Sequence, residues 1–269
     1  MLRDITLGQY YPADSLLHKL DPRVKIVGTI IYIAILFVAD NVWGYLLAAM
    51  ALGVMIVMSK VPVRFIFKGM RAIIFLLMIT VVFNVFLTPG RVLFQWKAIK
   101  ITYEGLLIAG TMAIRLIFLI VGTSIMTLTT TPNQLTDALE ALMSPFKKIK
   151  LPVHEVAMMM SIALRFIPIL MEETDKIMKA QMARGAGFDS KRLTDRAKSL
   201  IPLLVPLFVS AFRRANDLAM AMEARCYRGG ERTRMKPLQY CSRDYMSYAV
   251  LWIVLIGAIV IRVLLPAMV

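Results

Sequence analysis

The sequence has few of the residues that metal proteins and disulfide-rich proteins depend on. It contains two cysteines, Cys226 and Cys241, and two histidines, His18 and His154. The cysteines form no CxxC pair and the histidines lie far apart, so no metal site and no disulfide framework is predicted. We interpret both cysteines as free thiols in a reducing compartment.

Motifs for nucleotide binding and catalysis are also missing. No GxxxxGK[ST] phosphate loop occurs, so ATP is not expected to bind this chain. A membrane-embedded enzyme would need converging polar groups, and no HExxH, GxSxG or intramembrane aspartate pair is found. A channel or secondary carrier would need polar residues along a path, and the apolar runs offer mainly Arg115. We therefore predict no catalytic residues and no cofactor.

Apolar residues and positive charge are abundant instead. The chain is 59% hydrophobic and holds 32 Lys and Arg against 17 Asp and Glu, for a net charge of +15. Nucleic acid is not expected as a partner, because no nucleic-acid motif accompanies the charge. Long apolar runs combined with many basic residues are typical of a multi-pass membrane protein with large cytoplasmic surfaces.

Five apolar runs predict about five transmembrane helices in an all-α membrane protein. They cover residues 24–39, 42–58, about 72–88, 105–128 and 248–265. The link between the second and third runs carries four basic residues and no acid, so we expect it in the cytoplasm. The N-terminus and residues 132–246 then lie inside the cell and the C-terminus outside. Residues 1–23 contain no apolar stretch typical of a signal peptide.

The region between the fourth and fifth runs has a different composition. Residues 132–246 hold 19 of the 32 basic residues and 12 of the 17 acidic ones, which is too much charge for lipid. We predict three helices here, covering 132 to about 146, 152 to about 184, and about 193 to 225. The predicted domains are thus 1–131 with four transmembrane helices, 132–246 with cytoplasmic coupling helices, and 247–269 with the last transmembrane helix.

The two long predicted helices end alike. The first ends in Ala183-Arg184-Gly185 and the second in Ala224-Arg225-Cys226, with the arginines 41 positions apart. Each site alone is explained by helix capping, because cations suit the negative end of a helix and glycine suits a left-handed residue. The repetition favours a function, since an arginine presents a planar fork of donors to carboxylates or to a partner's helix end.

These features resemble the T component of energy-coupling factor transporters (EcfT/CbiQ-like), over essentially the whole chain. The resemblance also rests on Leu20-Asp21-Pro22-Arg23-Val24-Lys25 and on Leu128-Thr129-Thr130-Thr131-Pro132. The family has glycine in the third place of both arginine motifs, and Cys226 departs from this pattern. The resemblance implies a multi-pass cell membrane protein of prokaryotes.

The resemblance also implies the partners and the roles of the site residues. Two ABC-type ATPases (EcfA-like and EcfA′-like) would bind the two helix ends, and a membrane S component would bring the substrate. Vitamin uptake is expected, and a dedicated cobalt, nickel or single-vitamin system is the alternative. The residues expected to contact the ATPases are Ala183, Arg184, Gly185, Ala224, Arg225 and Cys226.

Two further sets of residues have a structural and a functional interpretation. Methionines on the long helices are either ordinary apolar filler or an adaptable platform for S components; the platform residues would be Met158, Met159, Met160, Met171, Met178 and Met220. Arg115 lies within the fourth run, where we favour a structural contact with carbonyls or with an acid. Glu172, Glu173 and Asp175 are predicted to form a solvated face with Lys176 and Lys179.

Overall fold

The computed structural model describes residues 10–96, 99–149, 152–185, 193–229 and 237–265. The described elements are α-helical apart from one hairpin and one 3-10 helix. Their order is α1 (Pro22–Val38), α2 (Val42–Ser59), α3 (Val63–Leu87), β1 (Val92–Trp96), β2 (Ile99–Thr102), α4 (Tyr103–Thr129), α5 (Pro132–Met143), a 3-10 helix (Ser144–Ile149), α6 (Val153–Ala183), α7 (Leu193–Ala224) and α8 (Ser242–Leu264). The predicted all-α class and the three helices after residue 131 are confirmed.

Four of the described helices are long and apolar enough to cross a membrane. They are α2, α4, α6 and α8, while Ile73–Leu87 of α3 is a shorter apolar stretch. Helix α1, at 17 residues, lies at the lower limit for a span. The inclusion of α6 differs from the expectation that charge keeps this region out of lipid, because most of its charged residues lie in its C-terminal half.

The chain divides into two compact units. The first, which we call the membrane unit, comprises the described residues up to 138 and from 238 onward; the second, the coupling unit, comprises the described residues between 139 and 237. Helix α1 lies at the centre of the membrane unit and contacts α2, α4 and α8. Its residues Tyr32, Ile35 and Leu36 are almost fully buried. This central helix is the core around which the other spans pack.

Local sequence explains where several helices begin. Asp21 caps α1 by accepting a hydrogen bond from the Arg23 amide, and Pro22 occupies the first helical position. At the start of α5, the Thr131 hydroxyl accepts from the Gln134 amide, and the Gln134 side chain accepts from the Thr131 amide. This reciprocal capping box matches the cap-like opening that the sequence predicts there.

The hairpin between α3 and α4 was not predicted from the sequence. Strands β1 and β2 pair antiparallel, with Trp96 opposite Ile99 and Gln95 opposite Lys100. Their β-branched and aromatic residues favour strands. Thr102 then connects the hairpin to α4, because its hydroxyl accepts from the Gly105 amide and donates to the Thr88 carbonyl. Lys97, in the link that the charge-based orientation puts outside the cell, is not among the described residues.

Candidate functional site

The candidate site consists of the C-terminal ends of α6 and α7. At the end of α6, Arg184 is the C-cap residue, and its amide donates to the carbonyls of Ala180 and Gln181 at 3.2 and 3.1 Å. Gly185 follows with φ +87°, in the left-handed region, and its amide donates to the Met182 carbonyl at 3.0 Å. The chain therefore turns away from the helix axis directly after the arginine.

The end of α7 has the same local geometry with a different residue. Cys226 follows Arg225 and has φ +58°, so it is left-handed like Gly185. Its amide donates to the Glu223 carbonyl at 2.8 Å, and the Tyr227 amide donates to the Met222 carbonyl at 3.0 Å. These two bonds form a Schellman motif. A cysteine therefore takes the conformation that glycine adopts more easily, at a cost of about 1 kcal/mol.

The two helix ends lie at opposite ends of one antiparallel pair. The Gln181 side chain of α6 donates to the Pro202 carbonyl at 3.3 Å, in the N-terminal part of α7. Ile162 of α6 and Met222 of α7 line the same cavity near the other end of the pair. Since Arg225 is three residues beyond Met222, the two arginines are about 25 helical positions apart, or roughly 40 Å at 1.5 Å per residue.

A polar contact joins α6 to α7 between these ends. The Arg214 guanidinium donates to one oxygen of Glu173 at 2.9 and 3.1 Å, and the Ser210 hydroxyl donates to the other. The prediction that Glu173 faces solvent beside Lys176 and Lys179 is therefore wrong. Glu173 pairs instead with α7, because the antiparallel packing brings Arg214 to its level. The contact holds the two helices in one register.

Both arginines are exposed, as are Ala183, Gly185, Ala224 and Cys226. The side chains of Arg184 and Arg225 form no hydrogen bond or ion pair with another described residue. A guanidinium carries five N–H donors and a permanent positive charge. Each long helix therefore ends in an exposed guanidinium, which is suited to bind hydrogen-bond acceptors on another protein.

Comparison with known proteins identifies the family. The profile of the family CbiQ, described as cobalt transport protein, matches residues 13–237, which include both helix ends. The chain belongs to the CbiQ family. The energy-coupling factor transporter transmembrane protein EcfT of Ruminiclostridium cellulolyticum is 55% identical over 247 residues, covering 91% of this chain and 92% of the relative.

Other relatives carry the same name. The EcfT protein of Clostridium kluyveri is 56% identical over 250 residues, covering 92% of this chain and 93% of the relative. That of Bacillus subtilis is 49% identical over 248 residues, covering 91% and 93%. The resemblance seen in the sequence is thus confirmed over nearly the full length. This CbiQ-family chain is a multi-pass membrane protein similar to the transmembrane components of energy-coupling factor transporters.

The methionines named as a platform do not form one surface. Met159, Met160 and Met220 are exposed, whereas Met158, Met171 and Met178 are partly buried. Three consecutive residues of a helix lie about 100° apart, so Met158, Met159 and Met160 cannot share a face. The role of these methionines stays a prediction, and no single platform contains all of them.

Sequence reasoning missed a more continuous apolar surface on α7. We call it the α7 apolar face, and it is formed by Ile201, Val205, Phe208 and Phe212, each more than half exposed. Their spacing of four, three and four residues places them on one side of the helix. This helical spacing is visible in the sequence and is the signal that could have predicted the face.

Arg115 has the kind of partners that the sequence led us to expect. Its guanidinium donates to the Ala39 carbonyl at 3.2 Å and to the Asp40 carboxylate at 3.4 Å. Arg262 of α8 contacts the other oxygen of Asp40 at 2.9 Å. Asp40 therefore connects the end of α1 with α4 and α8. In the sequence it marked only a break between two apolar runs, and its contacts depend on how the helices pack.

Proposed function

We propose that this chain is the non-catalytic coupling subunit of an energy-coupling factor importer. It joins two ABC-type ATPases to a membrane-embedded S component, and it binds no cofactor itself. The observation that carries the proposal is the pair of exposed arginine helix ends, alike in backbone geometry, at opposite ends of one antiparallel pair. One docking end for each of two similar ATPase subunits accounts for the duplication.

The geometry suits the transmission of movement. If each ATPase binds one of the two helix ends, roughly 40 Å apart, a change in the distance between the ATPases displaces these ends. Because Glu173 and Arg214 join α6 to α7, a displacement at one tip moves both helices. ATP binding changes the position of the helices only if the ATPases bind the helix ends differently in their open and closed states. The chemical energy therefore comes from the partners, and this chain converts it into a change of helix position.

The S component needs an apolar surface that moves with these helices. The α7 apolar face meets this requirement, since its four large side chains are exposed. Exposed methionines near it would adapt to different partners. In this proposal the movement of α7 tilts the S component, which releases its substrate into the cell.

Orientation and substrate follow from the same scheme. In this proposal the N-terminus and the coupling unit lie in the cytoplasm of a prokaryotic cell and the C-terminus lies outside, which the distribution of basic residues supports. A vitamin is the proposed substrate class, as the family resemblance of the sequence implies. A dedicated cobalt or nickel system is the second candidate, because the matching family profile is described as cobalt transport protein. Uptake of labelled vitamins and of labelled cobalt by the reconstituted complex distinguishes them.

The test of the coupling role replaces both arginines, as Arg184→Ala with Arg225→Ala. Interface arginines at such positions typically contribute at least about 2 kcal/mol each, so capture of either ATPase should fall about 30-fold per site. Pull-down of the purified ATPases and ATP-dependent uptake into vesicles measure this. The doubly substituted chain should remain folded, since neither arginine is buried.

A matched control uses two other exposed arginines of the same helices, as Arg165→Ala with Arg213→Ala. This variant removes the same charge and should retain normal ATPase capture. Normal uptake by the first variant, or equal losses in both, would contradict the proposal. Transport or ATP turnover by the purified chain alone would contradict it as well.

A further inference from the structure

An apolar groove of about 420 Å³ lies within the membrane unit, between α1, α2, α4 and α8. Most of its lining residues are aliphatic side chains or methionines. Water is poorly held in such a space, and an empty groove forfeits the dispersion contacts of its walls. The groove therefore requires an apolar occupant.

The charged end of the groove is well defined. Lys25, in the first turn of α1, lines it together with Thr129 at the end of α4 and Ser247 at the start of α8. The Lys25 ammonium donates to the Thr129 carbonyl at 2.9 Å, and the Asp21 amide donates to the Asp244 carboxylate at 2.9 Å. The starts of α1 and α8 and the end of α4 thus meet here, with the only described cation of the lining.

Two side chains at the groove have hydrogen-bond donors that no described residue uses. An ammonium has three N–H donors, and the described contacts of Lys25 are to the carbonyls of Thr129 and His18. Tyr32 is 2% exposed, and its hydroxyl has no partner among the described residues. Because less than 1 Å² of that oxygen is accessible, the unused donor that an occupant of the groove can reach is the third N–H of Lys25.

The acidic groups near Lys25 are already satisfied. Asp21 forms an ion pair with Arg23 at 2.9 Å, and Asp244 accepts hydrogen bonds from the amides of Asp21 and Cys241. Neither carboxylate accepts a hydrogen bond from the Lys25 ammonium among the described contacts, so its third N–H can meet an anion that enters the groove.

The dimensions match one lipid leaflet. The lining extends along α1 from Lys25 to Ile35, ten residues or about 15 Å, which is half of a hydrocarbon core about 30 Å thick. An extended acyl chain is only one methylene wide and fits.

We propose that the groove binds one acyl chain of an anionic phospholipid, with the headgroup phosphate at Lys25. Phosphate and ester oxygens of the lipid provide acceptors for the remaining N–H of Lys25. By the charge-based orientation, this end of the bundle faces the cytoplasmic leaflet, which is rich in anionic lipids. The site is separate from the arginine helix ends, and its test does not rely on transport.

The experiment measures lipid binding by the full-length chain. Native mass spectrometry after detergent exchange is performed with phosphatidylglycerol and with phosphatidylcholine of the same acyl chains. We expect one retained phosphatidylglycerol, preferred about tenfold over phosphatidylcholine. Ala51→Phe fills the groove from α2 and should reduce retention at least tenfold. Gly53→Phe, on the same helix where no atom lies within 4 Å of an added side chain, is the control.

The headgroup contact is tested by Lys25→Met, which keeps the apolar stem and removes the charge. It should bind both lipids equally, while Lys19→Met, whose side chain is 57% exposed, should keep the preference. Because Lys25→Met removes buried contacts and can impair folding, the wild-type preference and Ala51→Phe decide the proposal without it. Equal retention by Ala51→Phe and wild type, or no lipid preference in wild type, would overturn it. Photo-crosslinking from position 51 to another membrane subunit instead of lipid would do so too.

Discussion

The membrane unit and the coupling unit place their apolar residues differently. In the membrane unit, Tyr32, Ile35 and Leu36 are between 0 and 2% exposed and form part of a core shared by several helices. In the described part of the coupling unit, the buried apolar residues are Val153, Ala157 and Leu203. The membrane unit can therefore hold its fold through its own packing, whereas the coupling unit leaves large apolar surfaces for partners or lipid.

Polar residues follow the same division. The membrane unit uses Asp21, Asp244 and Asp40 to join helices that are distant in sequence. In the coupling unit, the described ion pair between α6 and α7 is that of Glu173 with Arg214, and Ser210 bonds to the same carboxylate. Arg184 and Arg225 are left exposed. We infer that substitutions in the membrane unit act mainly on folding and that those in the coupling unit act mainly on assembly.

The largest expected effect tests the polar contacts of the membrane unit. Asp244 is 2% exposed and accepts from two backbone amides, so Asp244→Ala would leave one buried and one partly buried donor without a partner. We expect a loss of about 3 kcal/mol in the free energy of unfolding. Thermal unfolding in detergent measures it. Asp217→Ala, at an exposed position of α7, is the control and should leave the unfolding temperature unchanged.

The core of the membrane unit is tested next. A Cβ added at Gly122 would lie 2.5 Å from the ring of Tyr32, so Gly122→Ala should destabilise the unit by about 2 kcal/mol through overpacking. Gly110→Ala, on the same helix with open space around it, should be neutral or stabilising. Thermal unfolding compares the two. Similar behaviour of both variants would mean that α1 and α4 are not packed as closely as described.

Substitutions in the α7 apolar face are expected to affect assembly and not stability. Phe208→Gln with Phe212→Gln replaces two side chains that are 67 and 61% exposed. We expect little change in the unfolding temperature of the purified chain. We expect about tenfold weaker capture of the membrane partner, because the proposed function assigns these contacts to the interface. Co-purification with the S component measures the second effect. A strong loss of stability would show that the coupling unit buries this face by itself.

The smallest expected effect compares the two helix ends. Cys226→Gly should stabilise the end of α7 by about 1 kcal/mol, since glycine takes the left-handed conformation without steric cost. Gly185→Ala should destabilise the end of α6 by a similar amount, because φ is +87° there. Hydrogen exchange of the amide at position 226 and of the Tyr227 amide reports the first change. Faster exchange after Cys226→Gly would be the contrary result.

The sequence by itself determined the helices, their approximate ends and the family. Apolar runs longer than a leaflet, a helical period in a charged region, and two Ala-Arg pairs are local signals that need no knowledge of packing. The starts of α3 and α8 came earlier in the structure than the apolar runs suggest, at Val63 and Ser242. Charged residues interrupt both starts, at Arg64 and Lys68 in α3 and at Arg243 and Asp244 in α8, so hydropathy alone does not reveal them.

Only the tertiary structure decided which residues meet. Glu173 and Arg214 are 41 positions apart, Asp21 and Asp244 are 223 apart, and the groove at Lys25 takes lining from four helices. Each of these contacts depends on the register and spacing of packed helices, which the helical period of a single segment does not specify. The two arginine ends are visible in the sequence, but their separation follows only from the antiparallel packing of α6 on α7.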